Sequence, residues 1–251
     1  MLSIQEDGPV LRVTMNRPEV RNAFNDVVIA KLTEVFTGLS PSVRVVVLAG
    51  EGKAFCAGGD LEWMRKASNY TEEENTQDAI KLGRLFEAIG TCSAVVISRV
   101  QGAAFGGGCG VVCASDIAIA ARGSLFAFSE VKLGLVPGTI STWVIPKIGA
   151  GHARALFTTG EAFDADHALR IGLVHQVCDA EELDAAVEAK VALVLKNGPH
   201  AVAVSKRMAV EGPYPLDQAA AILARARASE EGREGVAAFL EKRAASFVVE
   251  R

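Results

Sequence analysis

The chain has 251 residues, half of them hydrophobic and 22% charged, enough apolar content to bury the core of one large domain. Its 26 basic and 30 acidic residues give a formal net charge of -4, which lacks the basic excess used in non-specific binding to nucleic acid or membrane surfaces. The five cysteines (Cys56, Cys92, Cys109, Cys113, Cys178) make no C-x-x-C and the four histidines have no ligand spacing, so neither a disulfide framework nor a metal site is expected.

The opening MLSIQEDGPVLRV has no basic segment followed by an apolar stretch, so no secretory signal is expected; with reduced, mostly buried thiols this points to a cytoplasmic protein. Val10 to Met15 alternates as a short strand. Asn22 reads as the N-cap of a helix whose apolar stripe runs through Phe24, Val27, Val28, Leu32, Val35, Phe36 and Leu39. Val43–Leu48 is an almost unbroken β-branched run, the mark of a strand buried on both faces. Thr71-Glu72-Glu73-Glu74 is a capping box opening a helix with Ile80, Leu85, Phe86 and Ile89. Ala94–Val100 is a second buried strand, and Asp116–Ala121 and Leu125–Phe128 are shorter strands around the Arg122-Gly123 turn. The apolar stretch from Gly106 to Ala121 is interrupted by Asp116 and falls short of a membrane span.

From Ser141 onward strand-like runs nearly vanish, and helical stretches are expected at 150–157, 164–170, 180–196, 198–211, 216–230 and 233–245. The chain therefore reads as an α/β core followed by helices, with the division placed at residues 1–190 and 191–251.

Both buried strands end in glycine-rich turns that open helices: Phe55-Cys56-Ala57-Gly58-Gly59-Asp60-Leu61 and Phe105-Gly106-Gly107-Gly108-Cys109-Gly110. Ligands of parallel α/β sheets bind at the carboxyl ends of strands, where backbone N–H groups are free. Two such turns facing one another aim two N–H groups at one oxygen, which is an oxyanion hole. Alone, either turn is equally a close packing contact between elements. Neither carries the third glycine of a dinucleotide fingerprint, the G-K-[ST] of a P-loop, or a G-x-S-x-G nucleophile elbow. Glu130 is a lone carboxylate in an apolar run; burial would raise its pKa into a range useful for proton transfer, while the plainer alternative is a surface glutamate on an edge strand.

Taken in order, NRPE with Asn22-Ala23, FCAGGDL, QGAAFGGGCG, SDIAIAA, SEVKLGLVPG, IGLVHQV and AAFLEKR resemble the enoyl-CoA hydratase/isomerase (crotonase) family along nearly the whole chain. The resemblance implies an α/β fold, the crotonase (ClpP-like) spiral of ββα turns, with residues 191–251 a helical region that builds trimers, usually paired as hexamers. It implies an acyl-CoA thioester as substrate, with coenzyme A part of that substrate and no separate cofactor. The N–H groups of Gly59 and Gly107 would hold the thioester oxygen, and Glu130 matches one of the two catalytic glutamates of the family's hydratases. Ala57, Gly58, Asp60, Leu61, Gly106 and Gly110 would line the substrate path, Asp60 more as a helix cap than as a reactant. Phe239 and Lys242, three apart on one helical face, would reach the nucleotide of coenzyme A, from a neighbouring subunit in many relatives; outside the resemblance Lys242 is an exposed helix lysine.

The second hydratase glutamate falls at Gly110, which has no side chain. Family isomerases work with one glutamate, so the same resemblance holds both reactions open. Asp60-Leu61-Glu62-Trp63-Met64-Arg65, Gly110 and SEVKLGLVPGTIS resemble a bacterial subgroup described as methylglutaconyl-CoA or related branched enoyl-CoA hydratases of leucine or isoprenoid breakdown.

Overall fold

The computed structural model describes residues 1–250. The chain opens with a hairpin of β1 (Leu2–Asp7) and β2 (Val10–Met15), then α1 (Asp26–Thr37), β3 (Val45–Gly50), α2 (Leu61–Ala67), α3 (Glu72–Thr91) and β4 (Val95–Val100). β5 (Ala103–Phe105), α4 (Gly107–Ala114), β6 (Ile117–Ala121), β7 (Leu125–Ala127) and α5 (Gly138–Thr159) follow. β8 (Ala162–Asp164), α6 (Ala165–Arg170), β9 (Gln176–Cys178) and α7 (Leu183–Leu195) lead to α8 (Pro199–Glu211), α9 (Leu216–Ala228) and α10 (Glu230–Leu240).

Six strands form one sheet in the order β1-β2-β3-β4-β6-β9, and three form a second, β5-β7-β8. Only β1 runs antiparallel to its neighbour in the larger sheet. The β-branched run of β3 is buried on both faces, as its sequence predicts. Val46, Leu48 and Val96 face the core that receives Ile29 and Leu32 of α1, Leu85 and Ile89 of α3 and Val112 of α4. Val45, Val47, Val95 and Ile97 meet Leu183, Val187, Val191 and Leu195 of α7 on the other face. Alternation of side chains across the strands feeds both layers.

Several expectations change in detail. Asn22 is not the N-cap of α1; Asn25 is, its side chain accepting from the Val28 N–H at 2.9 Å. Asn22 instead takes a left-handed backbone (φ 57) and its amide donates to the carbonyls of Glu51 and Ala54 at 2.9 and 2.8 Å. α5 begins at Gly138, before Ser141, and bends where Gly149 leaves helical geometry. Two strands that were not anticipated, β8 and β9, fall between the stretches expected to be helical; each is three residues long, too short for a periodic signal. The division at residue 190 lies inside α7, which packs on the sheet, so the helices beyond the sheet layer start after Gly198.

α8 is tied down by Lys206, whose ammonium bonds Asp116 Oδ2 at 2.8 Å and the Ala94 carbonyl at 2.9 Å. The C-terminal tail is held by Arg44, which donates to the carbonyls of Phe247 and Asn197.

Candidate active site

The loop after β3 and the strand after β4 run side by side. Cys56 pairs with Ala104 in a parallel bridge, the Cys56 N–H donating to Ala103 O at 3.0 Å and the Phe105 N–H to Cys56 O at 2.9 Å. A second bridge joins Phe24 to Gly59 through Phe24 N–H to Gly58 O and Asp60 N–H to Phe24 O, both 2.8 Å. This pairing uses the groups on either side of Gly59 and turns the Gly59 N–H away from Phe24. Gly107 is the first residue of α4, so its N–H is one of the helix's orphan donors, at the positive end of the helix dipole.

Glycine is required where the turns meet. Gly106 has φ 49, and a Cβ there would stand 3.2 Å from Glu130 Oε1 and 4.0 Å from the Gly58 Cα. That one position places the carboxylate, the first glycine turn and the second in contact. Gly106 also donates its N–H to Ala127 O at 2.9 Å, fixing the α4 turn to the strand that leads to Glu130.

Glu130 opens a single 3-10 turn, Glu130–Leu133, beyond the end of β7, so it is neither on a strand nor at the surface of a sheet edge. Its Oε2 is buried with no hydrogen-bond partner. Burial pushes its carboxyl above the ordinary range, against a weaker opposing effect of its own backbone N–H. Leaving a carboxylate oxygen buried and unpaired is costly in a folded protein and marks a group reserved for something else.

Asp60 serves as the cap of α2, accepting from the Glu62 N–H at 2.9 Å, and pairs with Arg17 Nη2 at 2.8 Å. Burial pushes its carboxyl up, but the Arg17 hydrogen bond and the N–H groups of Glu62 and Trp63 together outweigh it, and the net shift is downward. Asp60 is thus an ionised structural anchor at neutral pH. Ala57 is held by its N–H to Arg21 O at 3.0 Å, and Leu61 projects into solvent, 75% exposed.

Gly110 is fully buried, and a Cβ there would lie 2.6 Å from Phe86 Cζ and 2.9 Å from Ile140 Cγ2. The place where a second carboxylate would attach is filled by hydrocarbon. Phe239 is 81% exposed on α10, but Lys242 lies beyond the end of that helix with a left-handed backbone (φ 56). The expected shared helical face therefore does not form: α10 stops at Leu240, and within the chain it packs on α8 and α9.

Three contributors escaped the sequence reading. Phe24 frames Gly59 by backbone pairing and touches the space beside Gly107, where a Cβ would stand 3.0 Å from its ring. Asn22 braces the loop after β3. Trp63, one turn into α2, lies against Gly59 with its indole N–H buried and unpartnered. Only the spacing from Asp60 to Trp63 gives any sign that this ring turns back toward the glycine turn. Among the described residues no group of three or more His, Cys, Asp or Glu is placed to hold a metal, and no helix is long and apolar enough to cross a membrane.

A family model described as enoyl-CoA hydratase/isomerase matches residues 5–249. The chain is similar to a crotonyl-CoA hydratase of Syntrophomonas wolfei, 37% identical over 254 residues that cover 98% of this chain and 96% of that one. It is 33% identical to a short-chain-enoyl-CoA hydratase of Clostridium acetobutylicum, covering 96% and 94%. The crystal structure of an enoyl-CoA hydratase from Shewanella pealeana superposes with a TM-score of 0.93 at 38% identity, covering 98% of this chain and 95% of that one. The spiral architecture with its helical C-terminal region is the crotonase fold. Fold, glycine turns and sequence agree, and the chain belongs to the enoyl-CoA hydratase/isomerase family.

Proposed function

We propose that this protein adds water across the double bond of a 2-enoyl-CoA thioester, with Glu130 as the one acid–base group. The observation that carries the reading is the buried Glu130 Oε2, without a hydrogen-bond partner, on a carboxylate that lies against Gly106, whose neighbour Gly107 opens α4. The thioester oxygen accepts from Gly59 and Gly107, which draws electron density from the double bond. Ionised Glu130 takes a proton from water, the water oxygen bonds to C3, and the electron pair moves through C2 onto the thioester oxygen as an enolate. Glu130 then returns its proton to C2, and the elements of water have been added. Each preorganised donor contributes on the order of 3 kcal/mol as charge develops on that oxygen. A desolvated carboxylate with a raised pKa is also a stronger base.

Ala57, Gly58, Asp60 and Leu61 would form the path of the coenzyme A arm, which is part of the substrate; no separate cofactor enters the reaction. Exposed Leu216, Leu223, Val236, Phe239 and Leu240 suit α9 and α10 to trimer contacts, with dimers of trimers as the next level. The finer substrate suggested by resemblance is a branched acyl such as 3-methylglutaconyl, in leucine breakdown, for a cytoplasmic enzyme.

One observation favours a second reading. Phe86 and Ile140 occupy the site of the missing carboxylate, and a lone Glu130 suits Δ3-Δ2 isomerisation, taking a proton from C2 of a 3-enoyl-CoA and delivering it to C4. The names of the relatives favour hydration. The test is turnover of crotonyl-CoA, 3-methylglutaconyl-CoA and a 3-enoyl-CoA by wild type and Glu130→Gln. Loss of conjugated-thioester absorbance with a 2-enoyl substrate, reduced at least 100-fold in the variant, is expected. Reaction of the 3-enoyl substrate alone selects the isomerase. Binding of all three without turnover leaves a non-catalytic acyl-CoA-binding protein.

A further inference from the structure

Two glycines of α3, Gly83 and Gly90, stand seven residues and so two turns apart, on one face of the helix. They meet Thr139 and Trp143, one turn apart on α5. The two meetings are filled differently. A Cβ on Gly90 would stand 2.0 Å from the Trp143 ring, so the indole already occupies the groove there. A Cβ on Gly83 would meet one atom within 4 Å, the Thr139 Cγ2 at 3.9 Å, which leaves room for more of a side chain. Gly90 is buried, whereas Gly83 and Thr139 are half-buried, so this room opens toward the surface.

The recess adjoins the candidate active site by two routes. Phe86, three residues on from Gly83, and Ile140, next to Thr139, meet at Gly110, where a Cβ would stand 2.6 and 2.9 Å from them. Gly110 is one turn of α4 from Gly106, its N–H donating to Gly106 O at 3.1 Å, and Gly106 lies against the Glu130 carboxylate. The second route is the loop that leaves Glu130. It returns the Leu135 N–H to Glu130 O at 3.1 Å and enters α5 at Gly138, one residue before Thr139. An acyl chain held by its carbonyl at the start of α4, with C2 and C3 beside Glu130, finds the direction along α4 closed by buried Phe86 and Ile140. Room remains between Gly83 and Thr139. Exposed hydrocarbon continues on both elements, with Ile80 one turn back along α3 and Leu135 and Val136 in the loop.

We infer that this recess receives the far end of the acyl group, and that Gly83 is a specificity-determining residue which admits hydrocarbon chains longer than butyryl. The inference rests on the acyl-CoA reading of the site given above. The walls are a glycine and the Thr139 methyl, with Phe86 and Ile140 beneath, so the occupant they favour is apolar. Each methylene buried there strengthens binding through the water it leaves.

The experiment measures binding, independent of turnover, by calorimetry on wild type and Gly83→Leu. The ligands are butyryl-CoA, hexanoyl-CoA, octanoyl-CoA and free coenzyme A. Wild type is expected to bind octanoyl-CoA at least tenfold more tightly than butyryl-CoA, with hexanoyl-CoA between them. In Gly83→Leu the added side chain fills the recess, and the preference should shrink to within about twofold. A wild type without the preference, or a variant that keeps it, overturns the inference. An equal loss for every thioester and for free coenzyme A also overturns it, because a general disturbance of the fold leaves the ratio of octanoyl to butyryl binding unmoved. If no thioester binds wild type, the acyl-CoA reading itself fails, a result distinct from binding without preference. Should Gly83→Leu not fold, Thr139→Leu closes the recess from α5 and is held to the same outcomes.

Discussion

At the scale of residues, the proposed chemistry turns on Glu130 and Gly110. Glu130 is held neutral more readily than an ordinary glutamate because burial disfavours its charge. Between its unfolded and folded pKa values the native state holds a proton that the unfolded chain has released. Stability therefore falls as pH rises through that window, and the cost persists above it. Glu130→Gln removes the cost. The variant is expected to melt higher than wild type at neutral pH by calorimetry, with the gain fading below the ordinary carboxylate range, while catalysis is lost. The acid limb of wild-type kcat/KM should lie above the ordinary carboxylate range, because the base must be ionised. Gly110→Glu would restore the absent carboxylate on paper, but the new Cβ alone meets Phe86 and Ile140 well inside contact distance. The expected outcome is a loss of about 1–3 kcal/mol in chemical denaturation with no increase in hydration rate.

Single elements carry the site through caps and braces. The capping box at Thr71 and Glu74 forms as its sequence pattern implies, with the Thr71 N–H donating to Glu74 at 2.8 Å. Such a pattern is legible because cap and partner are three residues apart. Asn22 is the opposite case: its partners Glu51 and Ala54 are about thirty residues away, and nothing near Asn22 in the chain announces them. Asn22→Ala removes these two bonds and the bond from the Arg17 N–H at 2.9 Å, and leaves alanine in a left-handed conformation. It should cost roughly 2–4 kcal/mol in a urea titration and lower kcat, since the loop it braces carries Gly58 and Gly59. The same reasoning explains the misplaced cap of α1: Asn22 and Asn25 are both good caps by type. The choice between them falls to the loop that claims Asn22.

The whole molecule adds a scale that one chain leaves open. α9 and α10 show Leu216, Leu223, Val236, Phe239 and Leu240 to solvent, beside a cavity of about 780 Å³ lined by Leu240, Val236 and Phe247. A helix pair with this much bare hydrocarbon is suited to a neighbouring copy. The double change Phe239→Arg with Leu240→Asp is expected to reduce the mass measured by sedimentation from a trimer or hexamer toward the monomer. An unchanged mass would place the assembly contacts elsewhere. Lys242, beyond the end of α10, would then be positioned by that neighbour rather than by its own helix.

The sequence by itself determined what depends on near neighbours: the doubly buried strands β3 and β4, the capping box of α3, the cap of α2 at Asp60, and the two glycine turns after buried strands. It also marked Glu130, because a carboxylate in an apolar run is costly wherever the run is buried. Tertiary structure decided what depends on distant partners. It set Gly106 between Glu130 and Gly58, filled the space at Gly110 with Phe86 and Ile140, drew Asn22 away from α1, and left the Trp63 N–H without a partner. It also formed β8 and β9, whose three residues are strands only because β7 and β6 offer them edges. Periodicity and capping act over a few residues and survive in the sequence, whereas close packing and hydrogen-bond satisfaction are settled between segments that meet only in the fold.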